Sequence, residues 1–429
     1  MTLALIGFVL LFLLAFAGVP LAFAMLIVGV GGFAWIRGLD PALSMLAQQV
    51  MDGSANYGMS VLPMFILMGL FVHRADLAED LYDAANAWVG HLRGGLAHAT
   101  VVSCAIFAAI SGSSIATAAT MSKVAIAPMR RLGYSDALST GSVASAGVLG
   151  VLIPPSVPLV IYGLMTDTDI RKLFIATVVP GLLLTLFFII SVAVTIALRP
   201  QWGAPGPRAA WTERMKRLRG VWAVLLLFAA VMGGLYGGVF TATESAGIGA
   251  MGALLIALAR RKMSFAAFIE DLVGAAKTTA MIFVIMFGAL TFANFITLSG
   301  MTGVLVDAIS SMNVGAVGVL IAIAVIYLVL GCLMESLSLM ILTVPVFLPV
   351  AVAAGINPIF FGIFVVMMIE IGMLTPPVGM NVFTVKSMNP SIPISTIFKG
   401  TIPFLIANIS AVAALIAFPQ LALAPLRWL

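Results

Sequence analysis

Charge is what this sequence has least of: Asp, Glu, Lys and Arg make up 9% of its 429 residues. A soluble domain normally carries about 25%, so this chain lacks the polar side chains to cover a water-facing surface. Cysteine is nearly absent too. Cys104 and Cys332 both lie inside apolar runs, which argues against a disulfide framework or a cysteine metal site and leaves them as small core residues. The histidines at 73, 91 and 98 lie in or near the 74–93 connector and show no ligand spacing. No G-x-x-x-x-G-K-[ST] loop occurs, so the chain does not itself draw on ATP. H-E-x-x-H and a serine nucleophile elbow are missing as well, and no catalytic constellation stands out. The opening M-T-L-A-L-I-G-F-V-L has no basic stretch before its apolar run, so it reads as a first membrane helix, not a cleaved signal.

Apolar side chains fill the space that charge leaves. They make up 62% of the chain, and the mean hydropathy is +1.19. Apolar segments fall at about 3–36, 57–73, 94–110, 137–163, 173–198, 220–259, 274–297, 314–332, 357–385 and 400–425, many of them long enough to cross a bilayer. They are too continuous for the alternation of a barrel strand, so the expected class is an all-α polytopic membrane protein. The net charge of +5 does not point to nucleic acid. Its basic residues sit in short connectors, chiefly 199–219 and Arg260-Arg261-Lys262, as cytoplasmic loops beside anionic lipid do.

The polar connector 199–219 divides the chain into halves 1–198 and 220–429. The halves echo one another: L-G-V-L-I-P-P-S-V (149–157) aligns with I-G-M-L-T-P-P-V-G (371–379), with Pro376 lying 222 positions after Pro154. The same offset superposes other apolar segments, so two structural repeats are expected, each with a broken helix, at 137–163 and 357–385. Each half also has a short interrupted segment before its double proline, opened by small and polar residues. Ser111, Gly112, Ser113, Ser114 and Thr117 open one, and Glu335, Ser336 and Ser338 the other. Re-entrant hairpins at about 110–130 and 333–352 account for them. The runs 3–36 and 220–259 each read as one long helix or two short ones, turning at 18–20 and 233–238. An inverted repeat needs an odd number of crossings in the first half, which sequence leaves open.

A proline inside a helix removes a hydrogen bond and clashes with the carbonyl behind it. The freed backbone groups must find partners in hydrocarbon, and paired broken helices near mid-membrane point to a transporter's binding site. A carboxylate such as Glu335 in an apolar run is costly; it reads as a cation ligand or as a hydrogen-bond acceptor at a hairpin entrance. Glu244 reads as structural, and Glu370 as a brace beside the second break. Asn294 and Asn381 offer neutral oxygens to a hard cation or bonds between helices. Lys123 reads as a snorkelling stem or a substrate contact.

Five stretches resemble the large membrane subunit of tripartite ATP-independent periplasmic (TRAP) transporters, the DctM family: S-G-S-S-I-A-T-A-A-T-M (111–121), A-P-M-R-R-L-G-Y (127–134), I-P-P-S-V-P-L-V-I-Y-G (153–163), G-G-V-F-T-A-T-E-S-A (237–246) and T-P-P-V-G-M-N-V-F (375–383). Ala242 and Ser245 depart from the usual F-T-P-x-E-A pattern, away from the hairpins. The resemblance covers essentially the whole chain. It implies an ion-transporter-superfamily fold with inverted repeats, in which an elevator unit including 94–163 and 314–385 moves against a scaffold. It also implies sodium-coupled uptake of an organic acid across the bacterial inner membrane, with a separate four-helix small subunit and a periplasmic substrate-binding protein as partners. Carried onto this sequence, Ser111, Gly112, Ser113 and Ser114 with Pro154, Pro155 and Ser156 form one sodium region. Glu335 and Ser336 with Thr375, Pro376, Pro377 and Gly379 form the other, Asn381 contributes, and the substrate carboxylate lies between the tips on hydroxyls and amides. No cofactor beyond sodium ions is implied. Alternatives are a self-sufficient carboxylate symporter or antiporter of the same superfamily, and a non-transporting membrane scaffold.

Overall fold

The computed structural model describes residues 2–311 and 315–428, and all their regular structure is helical. Among the described residues, eight helices are long and apolar enough to cross a membrane, and five shorter apolar helices accompany them. The chain is a polytopic membrane protein.

The two long runs are each two helices. The first breaks between Thr2–Phe16 and Leu21–Arg37, where Gly18 adopts φ +89° and Pro20 follows. The second breaks between Trp211–Tyr236 and Ala242–Ala259, at Gly237 and Gly238. Trp211–Tyr236 starts inside the stretch read as polar connector. Its first turns, rich in Glu, Lys and Arg, are good helix formers, and Trp211 packs edge-on against Trp88.

The hairpins are larger than the sequence boundaries. Residues 114–131 form one continuous helix, and its antiparallel partner is the preceding apolar helix Gly95–Ser111. The Leu96 N–H donates to Tyr134 Oη at 3.2 Å, which closes the base and leaves Gly112-Ser113 as the tip. The second hairpin joins Ala316–Gly331 to Ser336–Ala353, with the Tyr327 and Thr343 hydroxyls 2.5 Å apart across it. The polar clusters are therefore tips, not the starts of short arms. A cluster of small residues lets a chain reverse, and each arm is a full helix on either side of it.

Helix order in the second half follows the first. The 222-residue offset carries Ser114–Arg131 onto Ser336–Ala353 and Leu21–Arg37 to within a residue of Ala242–Ala259. The halves interlock: Leu21–Arg37 packs on Phe265–Leu298, and Val61–Arg74 on Ala242–Ala259. Small residues permit this closeness; a Cβ on Gly29 would lie 2.8 Å from the Phe292 backbone nitrogen. The most buried span is the broken helix 136–165, against which Ile394–Ala417 and the arm Ser114–Arg131 pack.

Contacts sort the helix ends into two faces. On one, Arg260 pairs with Asp80 and donates to the Gly220 carbonyl, Lys262 pairs with Asp76, Arg217 with Asp83 and Arg74 with Asp271. The base of the first hairpin joins this face through Gly94 N–H to the Gly203 carbonyl. On the other face, the Tyr162 hydroxyl donates to the Pro358 carbonyl at 2.6 Å and Arg171 to the Tyr236 carbonyl. Arg260 and Gly220 meet, so the pair of helices 211–236 and 242–259 goes out and returns.

Candidate functional site

The first tip is built from its own short side chains. Gly112 takes φ +65°, a left-handed conformation that favours glycine. Ser113 caps the following helix, its hydroxyl accepting from Ala116 N–H at 3.3 Å. Thr117 Oγ1 lies 2.8 Å from the Ser113 carbonyl oxygen and 3.0 Å from the Ser111 hydroxyl. The arm sits close on the broken helix because Gly150 faces it; a Cβ there would lie 2.5 Å from Thr117 Oγ1.

That tip docks on the first helix break. Both Pro154-Pro155 and Pro376-Pro377 are cis, and Pro154, Pro155 and Ser156 are buried. After the break, the Val157 N–H donates to the Gly112 carbonyl at 3.4 Å. Ser156 starts the helix Val157–Met165, its hydroxyl accepting from Leu159 N–H. The opened helix thus finds partners in the tip, as a backbone break in an apolar medium requires.

The second tip repeats the device with a carboxylate. Glu335 caps Ser336–Ala353: it accepts from the Ser338 N–H at 3.1 Å and the Ser338 hydroxyl at 3.2 Å, and the Ser336 hydroxyl donates to its other oxygen at 3.3 Å. Of the two readings of Glu335, the geometry supplies the acceptor at a hairpin turn.

Both tips face one cavity of about 360 Å³. Ser111, Gly112, Ser113 and Ser114, Val157 and Pro158, and Glu335 and Ser336 line it. Its opposite wall is His73 with Gly69 and Leu70 on Val61–Arg74, and Thr278 and Ile282 on Phe265–Leu298. Thr120 and Lys123 run down the arm below the first tip. The Thr120 hydroxyl lies 3.2 Å from His73 Nδ1, joining arm to wall.

Not every expected residue lines this cavity. Pro154, Pro155, Ser156, Thr375, Pro376, Pro377, Gly379 and Asn381 do not. Pro376 and Pro377 are exposed, unlike their counterparts, and the Thr375 hydroxyl donates back to the Ile371 carbonyl at 2.7 Å. Gly379 takes φ +63°. Asn381 is wholly buried; its amide donates to the Ala144 carbonyl at 3.4 Å, and its Oδ1 has no partner among the described residues. The neighbouring Ser145 hydroxyl is also buried and without a partner among them.

Four further polar residues stand around the site. His73 shows no ligand spacing in the sequence, and Thr278 carries no signal there. Thr120 shares a helical face with Ala116 and Lys123, so reading the arm as a helix would have found it. Glu370, read only as a brace, is 1% exposed; it accepts from the Ser114 hydroxyl at 3.3 Å and has a second oxygen without a partner among the described residues.

The two halves interlock, and both hairpin tips open onto one cavity. The fold matches the Alcanivorax borkumensis YdaH transporter with a TM-score of 0.62 at 15% identity, covering 90% of this chain and 89% of that one. It matches the Neisseria gonorrhoeae efflux pump MtrF with a TM-score of 0.60 at 12% identity, covering 89% and 84%. At sequence level, residues 8–421 match the family described as tripartite ATP-independent periplasmic transporter, DctM component. The chain belongs to that family. It is a transporter subunit, not an enzyme. Its relatives include the Pseudomonas aeruginosa C4-dicarboxylate TRAP transporter large permease protein DctM, 36% identical over 90% of each chain. The Halomonas elongata ectoine large permease protein TeaC is 33% identical over 94% of this chain and 93% of its own, and the Vibrio cholerae sialic acid large permease protein SiaM is 31% identical over 96% and 95%.

Proposed function

We propose that this chain is the translocating subunit of a sodium-coupled TRAP system that imports an organic acid across the bacterial inner membrane. A periplasmic binding protein delivers the acid, and a small membrane subunit completes the complex. The observation that carries the reading is the single cavity shared by both hairpin tips, one wall of which belongs to the interlocked long helices. A solute there touches both units and can travel with one past the other.

The face bearing Arg217, Arg260 and Lys262 is cytoplasmic by its positive charge. Taking 2–16, 21–37, 57–74, 136–165 and 170–198 as crossings gives the first half five, an odd number, so the second repeat is inverted. The hairpins then re-enter from opposite faces. His73 stands near the cytoplasmic end of its helix and Met388 close to Lys386, and both line the cavity; this supports an inward-facing state. Buried oxygens of Asn381 and Ser145 that have no partner among the described residues support a sodium region behind the second break, with Ser113 and Ser114 near the other. Ordering of both breaks by sodium completes the tips before the acid binds, which couples the two. Relatives named for a C4-dicarboxylate, sialic acid and ectoine support a small carboxylate as substrate.

The test is sodium-dependent uptake by the reconstituted complex with Ser113, Ser114, Thr375 and Asn381 each replaced by alanine. At least one is expected to raise the sodium requirement several-fold. Unchanged uptake and sodium dependence in all four would remove the site, and sodium-independent uptake by the parent would remove the coupling.

A further inference from the structure

The cavity is electrically bipolar, and its poles do not lie where a carboxylate held by the hairpin tips would want them. Glu335 sits at the tips, and its carboxylate already occupies the N-terminus of Ser336–Ala353. Further down the same cavity Lys123 lines the wall, and no carboxylate among the described residues pairs with it. Lys123 is the one lysine or arginine among the residues that line the cavity. Lys123 is also solvent-accessible.

We propose that Lys123 is the anion anchor of this cavity, holding the substrate carboxylate while the hydrogen-bond-donating end of the same molecule meets Ser111, Ser113 and Glu335. This rests on the transport reading above and deepens it. The first tip offers an anion the N-terminus of Ser114–Arg131, equivalent to about half a positive charge; Lys123 offers a whole one on a mobile stem. Glu335 repels a carboxylate at the tips and attracts one nowhere. Charge therefore turns the acid around.

Reach agrees with charge. Lys123 stands ten residues beyond Ser113, about 15 Å along the helix axis at 1.5 Å per residue. Side chains on a helix lean toward its N-terminus, which here is the tip, so the ammonium closes part of that distance. The remaining gap is the length of a small hydroxy acid, amino acid derivative or sugar acid. The Thr120 hydroxyl, one turn nearer the tip on the same face, supplies a second donor or acceptor along the way.

The first test uses the unmodified chain purified in nanodiscs in sodium chloride. Acylation of Lys123 by an amine-reactive ester is followed by mass spectrometry, with N-acetylneuraminate or ectoine present at millimolar concentration. At least one acid is expected to slow labelling of Lys123 five-fold or more while leaving Lys216 unchanged. If none of them does so, the proposal is overturned.

The second test works in the complex. With Cys104 and Cys332 replaced by alanine, Lys123→Cys is expected to cut uptake at least ten-fold. Aminoethyl methanethiosulfonate, which restores a cation of lysine-like length, returns it; sulfonatoethyl methanethiosulfonate does not. Equal recovery with both reagents, or uptake by Lys123→Cys within two-fold of the parent, overturns the anchor. A parent complex that shows no sodium dependence instead overturns the transport reading, and the labelling result stands apart from it.

Discussion

The two hairpin tips solve one problem with different residues. Each reverses the chain and must then satisfy the exposed N–H groups that begin a helix. Ser113 does so with a hydroxyl; Glu335, 222 positions later, does so with a carboxylate. If capping is what Glu335 contributes to folding, its charge is dispensable for stability. Glu335→Ser, which installs the cap of the first hairpin, is expected to keep the unfolding midpoint in detergent close to the parent. Glu335→Ala is expected to lose about 1 kcal/mol, the usual cost of removing a cap. Equal loss in both, measured by thermal unfolding, sinks the cap assignment. At this scale the sequence showed the tips because small and polar residues inside apolar runs stand out one by one. His73 and Thr120 did not, because 47 residues separate them and only the packing of the arm on the wall brings their side chains to 3.2 Å.

Among elements, close helix contacts carry the architecture. Ile394–Ala417 lies along Asp136–Gly147 where Gly400 faces Gly141, and a Cβ on Gly400 would fall inside the Ala137 carbonyl oxygen. A backbone cannot yield as a flexible side-chain end does. Gly400→Ala is therefore expected to destabilise the protein by about 1–3 kcal/mol, as overpacking does. Gly247→Ala, with open space around it, is expected to be neutral. Comparable unfolding midpoints for the two in detergent would argue against the contact.

The same scale explains which elements were legible in sequence. Apolar runs marked the broken helices to within a few residues, but the runs 274–297 and 220–259 began nine residues inside the helices Phe265–Leu298 and Trp211–Tyr236. Leu39–Ala55 and Leu77–Val89 were invisible to that reading because they carry polar faces. The hairpins were drawn too small for a different reason: their first arms, Gly95–Ser111 and Ala316–Gly331, are apolar enough to pass for independent crossings. An arm and a crossing have the same composition, and only the contacts Leu96–Tyr134 and Tyr327–Thr343 tell them apart.

For the whole molecule, the question is what slides against what. Leu21–Arg37 with Phe265–Leu298, and Val61–Arg74 with Ala242–Ala259, form one interlocked body. The arm Ser114–Arg131, the broken helix from Asp136 and the helices Met380–Met388 and Ile394–Ala417 form another. The hydrogen bond between Thr120 and His73 joins them across the cavity. If transport carries the second body past the first, this bond must break in every cycle, and locking it must stop uptake. Cysteines at 73 and 120, with Cys104 and Cys332 replaced by alanine, are expected to be bridged by a mercuric ion when the cavity is inward-facing. Uptake should then fall at least ten-fold and return on adding excess dithiothreitol, while either single cysteine is unaffected. Full bridging, verified by mass spectrometry, with uptake unchanged would mean that the two bodies stay fixed here and the solute moves through a stationary cavity.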